Sequence, residues 1–317
     1  MRLAFLFPGQ GSQHVGMGQD LAAAHAAARE VFDTADRVLG VPLSRLCWEG
    51  PADELKQTVN AQPALLTHSV AALRLLEARG LKPEWAAGHS LGEYSACVAA
   101  GALSFEDALR LVRRRGELMF EAGEARPGSM AAVLGVDEDG ARKLCAAAAS
   151  FGELVPANLN GPGQVVVSGD LRAVEGAAGL AGSLGIKRYK TLEVSGAFHS
   201  PLMEPARARL AEQLARTEIR DPRCPVITNV DARPAATAAA IRDALERQLT
   251  QPVRWEDSMR TLLAAGAEGF VEIGAGDVLK GLLKRIDKGA RAWSVGDPAT
   301  LTSALAELGA QAASGIA

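Results

Sequence analysis

Residues 86 to 101 read AAGHSLGEYSACVAAG, and Ser90 at their centre stands between Gly88 and Gly92. The short apolar stretch EWAAG precedes it and an alanine-rich helical pattern follows. A strand-to-helix turn capped by a serine is the plainer reading, but it explains neither the paired glycines nor the apolar flanks. Gly-x-Ser-x-Gly between strand and helix is the nucleophile-elbow arrangement. The turn is so tight that side chains on both sides of the serine would collide. The serine is then forced to the top of a sheet at a helix N-terminus, where outward N–H groups can hold an oxyanion.

The rest of the chain supplies such a sheet. LAFLF reads as a buried strand ending at Pro8 and Gly9, and CPVITNV, EGFVEIG and RAWSV read as later strands separated by helical patterns. Helical spacing covers residues 18 to 40, NAQPALLTHSVAALRLLEARG, and SFEDALRLVRRRGELMFEAG, which opens on a capping-box pattern from Ser104 to Asp107. Strands alternating with helices predict a parallel sheet with helices on both faces. The middle differs: GSMAAVLGV, DEDGARKLCAAAAS, LVPANLN, QVVVSG, DLRAVEGAAGLAGSLG and IKRYKTLEVS run strand, helix, strand, strand, helix, strand. That is the split order of a ferredoxin-like unit. The expected division is a large α/β hydrolase-like domain of residues 1–125 and 197–317, with a ferredoxin-like small domain inserted over 126–196. The closing AQAASGIA is expected to fray.

A serine nucleophile needs a base and a second oxyanion donor. PGQGSQ, residues 8 to 13, follows the first strand and offers backbone N–H groups beside the elbow, with Gln10 as the donor. It matches half of a dinucleotide fingerprint, but His14 stands where the third glycine belongs. Of the five histidines, His14 and His89 flank the two loops, and His25 and His68 are expected inside helices. His199, in SGAFHSPLM, lies where the chain leaves the small domain, and pockets form at such junctions. It also follows the serine in chain order, as a hydrolase arrangement requires. No equally placed acid precedes it, so a dyad is expected, with His199 oriented by a backbone carbonyl.

Other classes fit poorly. A net charge of −3 and 4% aromatic residues argue against nucleic-acid binding. Cys47, Cys97, Cys145 and Cys224 follow no metal or redox spacing and are expected to be buried thiols. MRLAFLF is too short for a signal segment, and no stretch approaches a membrane span. A cytoplasmic chain free of membranes is expected.

Together FPGQGSQ, GHSLGEYSA, LVRRRG, NLNGPGQVVVSG, SGAFHSPLM and RQLTQPVRW, spread over residues 5 to 256, resemble the malonyl-CoA:acyl carrier protein transacylases of bacterial fatty-acid synthesis. The acyltransferase domains of polyketide synthases are similar. The resemblance implies a hydrolase-like α/β domain with a ferredoxin-like insertion. It implies Ser90 as nucleophile, His199 as base, the N–H groups of Gln10 and Leu91 as oxyanion donors, and the carbonyl of Gln248 holding the histidine. It also implies an arginine that binds the malonyl carboxylate, and RRR offers three candidates. At helical spacing, Ala108, Leu111, Val112, Leu118 and Met119 define an apolar face that includes Arg115 but not Arg113 or Arg114. A buried arginine needs an anion, so either a core carboxylate or the substrate must meet it.

The activity so implied is two-step transfer of malonyl from malonyl-CoA to the phosphopantetheine thiol of holo acyl carrier protein, through a malonyl-serine ester. No metal or bound cofactor is expected, and the protein is expected to be a monomer. A stand-alone polyketide malonyl acyltransferase would carry the same residues, and the elbow alone also permits a serine hydrolase or thioesterase. Two basic stretches are candidates to attract an acidic carrier. One holds Lys187, Arg188 and Lys190; the other holds Lys280, Lys284, Arg285 and Lys288.

Overall fold

A computed structural model describes residues 1–309. The terminal AQAASGIA lies outside the described residues. Strand β1 (Leu3–Phe7) is buried along its whole length. Leu3, Phe5 and Phe7 face one apolar core while Ala4 and Leu6 face another, so the strand is covered on both sides. Helices α1 (Gln19–Ala24) and α2 (Ala26–Leu39) follow. The single helical stretch expected over 18 to 40 is therefore broken, and His25 is not inside a helix. Its backbone is extended (φ −138°), which turns α2 to lie along the long helix of residues 58–77 while α1 packs near the helix of residues 298–308.

Two short helices, α3 (Leu43–Glu49) and α4 (Ala52–Lys56), lead to the long α5 (Thr58–Glu77), which holds His68. Strand β2 (Trp85–Gly88) then runs into α6 (Gly92–Ala99). Helix α7 (Phe105–Ala125) starts with half of the expected box: Ser104 Oγ accepts from the Asp107 N–H at 3.0 Å, but the Asp107 carboxylate accepts from the Ser104 hydroxyl at 2.7 Å and not from the Ser104 backbone N–H.

The middle segment forms its own sheet from β3 (Gly128–Leu134), β4 (Leu154–Gly161), β5 (Gln164–Asp170) and β6 (Arg188–Thr191), with helices α8 (Glu138–Ala147) and α9 (Leu171–Leu180). The order is β4-β5-β3-β6, antiparallel throughout, the arrangement of a ferredoxin-like unit. Val133, Val165 and Val167 pack against Leu144 and Val174 of the two helices. Met130, Ala157 and Val166, on the other face, join the main core. Strand β6 is shorter than IKRYKTLEVS suggests. Beyond Thr191 the Leu192 N–H still donates to Met130 O of β3 at 2.8 Å, and Leu192 and Val194 then pack against the main core instead of extending the strand.

Helix α10 (Glu204–Arg216), strands β7 (Val226–Ile227) and β8 (Pro234–Ala235), and helices α11 (Ala238–Arg247) and α12 (Trp255–Ala264) return the chain to the large sheet. Strand β9 (Gly269–Ile273), helix α13 (Val278–Ile286), strand β10 (Ala292–Val295) and helix α14 (Pro298–Leu308) complete it. The sheet order is β10-β9-β1-β2-β7-β8, parallel except for the edge strand β8. Within CPVITNV only Val226 and Ile227 are paired in the sheet; the chain then bends at Thr228, whose N–H donates to Arg233 O. That bend delivers Asn229 to the elbow.

The two sheets are joined beside the elbow. Val253 N–H donates to Ala157 O (2.9 Å) and Leu159 N–H to Val253 O (2.8 Å), tying β4 to the loop after α11. All four cysteines are buried and unpaired. Among the described residues no helix is long and apolar enough to cross a membrane.

Candidate active site

The elbow sits where β2 reaches the carboxyl edge of the large sheet. Its two glycines have separate steric reasons. A β-carbon on Gly88 would lie 1.9 Å from the carbonyl carbon of Gly92, across the turn itself. A β-carbon on Gly92 would lie 2.0 Å from Phe7 O, at the end of β1. Ser90 between them has φ +51°, a left-handed conformation that an L-residue adopts only when its surroundings impose it.

Those surroundings are polar and buried. Asn229 Oδ1 accepts from the Ser90 N–H at 2.7 Å, and Asn229 Nδ2 donates to Gly88 O at 2.7 Å. Gln248 Nε2 donates to Ser90 O at 2.9 Å. The peptide groups of the elbow are thus held from both ends by side chains distant in sequence. The N–H groups of Leu91 and Gln10 have no hydrogen-bond acceptor among the described residues, and both residues line the cavity that contains Ser90.

His199 also has a positive φ, +57°, and lies in the loop that follows the small sheet. Its Nδ1 stands 2.8 Å from the carbonyl oxygen of Gln248, which can only accept; the proton is therefore on Nδ1. Nε2 is left with its lone pair, 2.7 Å from Ser90 Oγ. Burial, together with the nearby Arg115 charge, pushes His199 down to about 3. At neutral pH the ring is a neutral acceptor facing a hydroxyl, the state a general base requires.

Arg115 is 1% exposed, on the apolar face of α7. Its Nη1 donates to Gln62 Oε1 (2.8 Å), and its Nη2 donates to Gln248 Oε1 (2.9 Å) and Ser90 Oγ (3.2 Å). Every one of these acceptors is neutral, and its buried Nε finds no protein partner. Arg113 and Arg114 instead pair with Glu117 at the surface. A buried guanidinium without a carboxylate favours an anionic ligand beside Ser90.

The structure thus brings Ser90, His199, Arg115 and Gln248 into direct contact; the first three line one cavity of about 470 Å³ together with Gln10 and Leu91, and Gln248 lies buried behind them. His89 points away from the serine: its Nε2 meets Asn160 Oδ1 of β4 at 2.8 Å and its ring lies against Trp255, so it joins the two sheets. Among the described residues no cluster of three or more histidine, cysteine or acidic side chains could hold a metal ion.

Three residues escaped the sequence reading. Glu93 is a lone charged residue in the apolar run of α6, which is the available signal; Gln62 is one of several buried polar residues of α5 and carried no such signal. Asn229, in a loop, had none.

The model of the acyl transferase domain family matches residues 4–301. The malonyl CoA-acyl carrier protein transacylase of Bacillus subtilis is 49% identical over 308 residues, covering 97% of each chain. The solved transacylase of the same description from Coxiella burnetii superposes with a TM-score of 0.93 at 42% identity, covering 97% of this chain and 98% of that one. A solved complex of a type II polyketide acyl-carrier protein with its malonyl-transacylase also superposes at 0.93, with 43% identity, covering 97% of this chain and 100% of that one.

Proposed function

We propose that this chain, which belongs to the acyl transferase domain family, transfers malonyl from malonyl-CoA to the phosphopantetheine thiol of holo acyl carrier protein through an ester on Ser90. It is an acyl-carrier-protein S-malonyltransferase that supplies fatty-acid elongation. The observation that carries the site assignment is the convergence on one oxygen, Ser90 Oγ, of a neutral imidazole and a buried arginine that lacks a carboxylate.

In the first half-reaction Ser90 Oγ attacks the thioester carbon while His199 Nε2 takes its proton. The N–H groups of Gln10 and Leu91 receive the oxyanion, and the Gln248 carbonyl stabilises the imidazolium by keeping Nδ1–H engaged. The carbon–sulfur bond breaks, and His199 returns the proton to the leaving CoA sulfur. In the second half-reaction the carrier's thiol gives its proton to His199 and attacks the ester. The tetrahedral adduct collapses, and Ser90 Oγ regains the proton. Arg115 holds the malonyl carboxylate throughout as a bidentate fork. The exchange uses side chains and main-chain groups of one chain, so no metal or bound cofactor enters it and a monomer suffices.

We divide the chain into a large domain of residues 1–125 and 197–317 and an inserted domain of residues 126–196; the separate sheet and core of the middle segment support this reading. A cytoplasmic setting agrees with four unpaired buried thiols. For the carrier, the two basic stretches converge at the β4–β5 turn. Lys187 packs beside Gly135, whose N–H donates to Gly163 O, and Arg285 Nη1 reaches Gln164 Oε1 at 3.1 Å. An acidic carrier docked there would meet charge from both sheets.

Intact-mass analysis tests the reading. Malonyl-CoA should add one malonyl group, and holo carrier protein should then remove it and gain that mass. Loss of the group to water at the same rate without carrier would instead make the protein a hydrolase.

A further inference from the structure

Glu93, in the first turn of α6, is 1% exposed and is absent from the reaction as written above. Its Oε2 accepts from Gln248 Nε2 at 2.6 Å and from the Asn229 N–H at 3.2 Å. The same Gln248 amide presents Oε1 to Arg115 Nη2 at 2.9 Å and Nε2 to Ser90 O at 2.9 Å. The two ends of an amide differ: oxygen only accepts and nitrogen only donates. Turned over, the amide would set its NH₂ against the guanidinium and its oxygen against a carboxylate and a carbonyl. A carboxylate at position 93 therefore selects one orientation of Gln248, the one that gives Arg115 an acceptor. Arg115 has no direct carboxylate partner, so Glu93 is also the anion that reaches it through the amide.

We propose that Glu93 is a positioning residue that holds the Gln248 amide with its oxygen toward Arg115, and so sets how strongly the site prefers an acyl group carrying a carboxylate. The proposal rests on the malonyl-transfer reading and deepens it. A role confined to the elbow would affect every acyl group alike, because Ser90 attacks them all; a role through Arg115 affects malonyl selectively.

The charged and titratable groups facing Glu93 are Arg115 from α7, Asp231 from the loop after β7, and Tyr94 and Cys97 of α6 itself. Arg247 keeps Asp231 below its ordinary value and therefore ionised, while burial raises Tyr94 and Cys97 and keeps them neutral. Burial also pushes Glu93 up to about 7, against the opposing pull of its Gln248 and Asn229 hydrogen bonds. Raising pH through that value ionises Glu93 and strengthens its hold on the amide. At subsaturating thioester both loading rates report the His199 of the free enzyme, so the histidine cancels from their ratio.

The test is single-turnover loading of Ser90 from malonyl-CoA and from acetyl-CoA, read by intact mass, on wild type, Glu93→Gln, Arg115→Ala and the double variant. Glu93→Gln is nearly isosteric, and a thermal melt checks its fold. The malonyl-to-acetyl ratio should fall about tenfold in Glu93→Gln, as expected for loss of one charged hydrogen bond, and should change less than about twofold when Arg115 is already alanine. In unmodified protein, which needs no variant to fold, the ratio should rise between about pH 6 and pH 8; in Glu93→Gln it should be level. Equal losses for both acyl groups, a ratio flat with pH in wild type, or an undiminished effect in the Arg115→Ala background would each overturn the proposal. No adduct from either thioester would overturn it together with the transfer reading, whereas adducts with an unchanged ratio would leave transfer standing and remove Glu93 alone.

Discussion

The α-carbon of Gly92 lies so close to the end of β1 that a β-carbon would stand 2.0 Å from Phe7 O. This contact joins the elbow helix to the adjacent strand, and both partners are backbone, so neither can give way by rotating a side chain. Gly92→Ala should cost at least about 3 kcal/mol and displace Ser90 from His199. Urea denaturation and malonyl loading measure the two effects. A variant of wild-type stability and loading would show that the turn tolerates a side chain.

Ser90→Ala should abolish the malonyl adduct, since no other hydroxyl occupies the elbow. His199→Ala should slow loading by about 10³-fold or more while leaving the melting temperature close to that of wild type. A normal yield of adduct on the Ser90→Ala protein would place the nucleophile elsewhere.

Arg115→Ala should reduce malonyl loading by about 2–5 kcal/mol, the cost of truncating a desolvated ion pair. Acetyl loading should fall far less, because acetyl has no carboxylate. Arg115→Lys should recover only part of the malonyl rate, as it keeps the charge but lacks the fork. The ratio of kcat/KM for the two thioesters is the measurement, and equal losses would make the arginine structural.

His199 sits at about 3 because burial and the Arg115 charge both disfavour the imidazolium. A base works only when neutral, so lowering the pH disables it only near that value. Acetyl loading should hold level from about pH 8 to about pH 5, whereas a histidine at its ordinary value would lose half its activity near pH 6.5. A kcat/KM profile for acetyl-CoA distinguishes the two. With malonyl bound, its carboxylate offsets Arg115 and the histidine should become more basic.

Charge reversal at Lys187 and Lys284 should weaken transfer to carrier protein through the association rate, with loading from malonyl-CoA changed less. Both side chains are exposed, although Lys284 Nζ also donates to Ala290 O at 2.6 Å, so a melt should accompany the assay. The defect should shrink at high salt, where the wild-type attraction is screened too. If both half-reactions fall equally, or neither changes, the carrier docks elsewhere.

What could be read from sequence were features with a local cause. The elbow glycines answer a steric demand within a few residues, the strand and helix patterns answer burial of one or both faces, and Arg115 was separable from Arg113 and Arg114 because helical geometry places neighbours on different faces. His199 stood out by its place at the domain junction and after the serine in chain order, and the resemblance drawn from the motifs added Gln248 as the carbonyl that holds it. Tertiary structure alone decided where the buried polar groups find one another. Asn229 holds an elbow 139 positions away, and Gln248 reaches Ser90 O across 158. Glu272 of β9 accepts from the Leu279 and Lys280 N–H groups at the start of α13, a cap supplied by another element. The halt of β6 after Thr191 and the break at His25 have the same origin, because neighbouring elements need those segments elsewhere. Periodicity records which face of an element is buried. The partner of a buried donor or acceptor is set only when strands and helices distant in the chain pack together and exclude water, since only then must each such group find one.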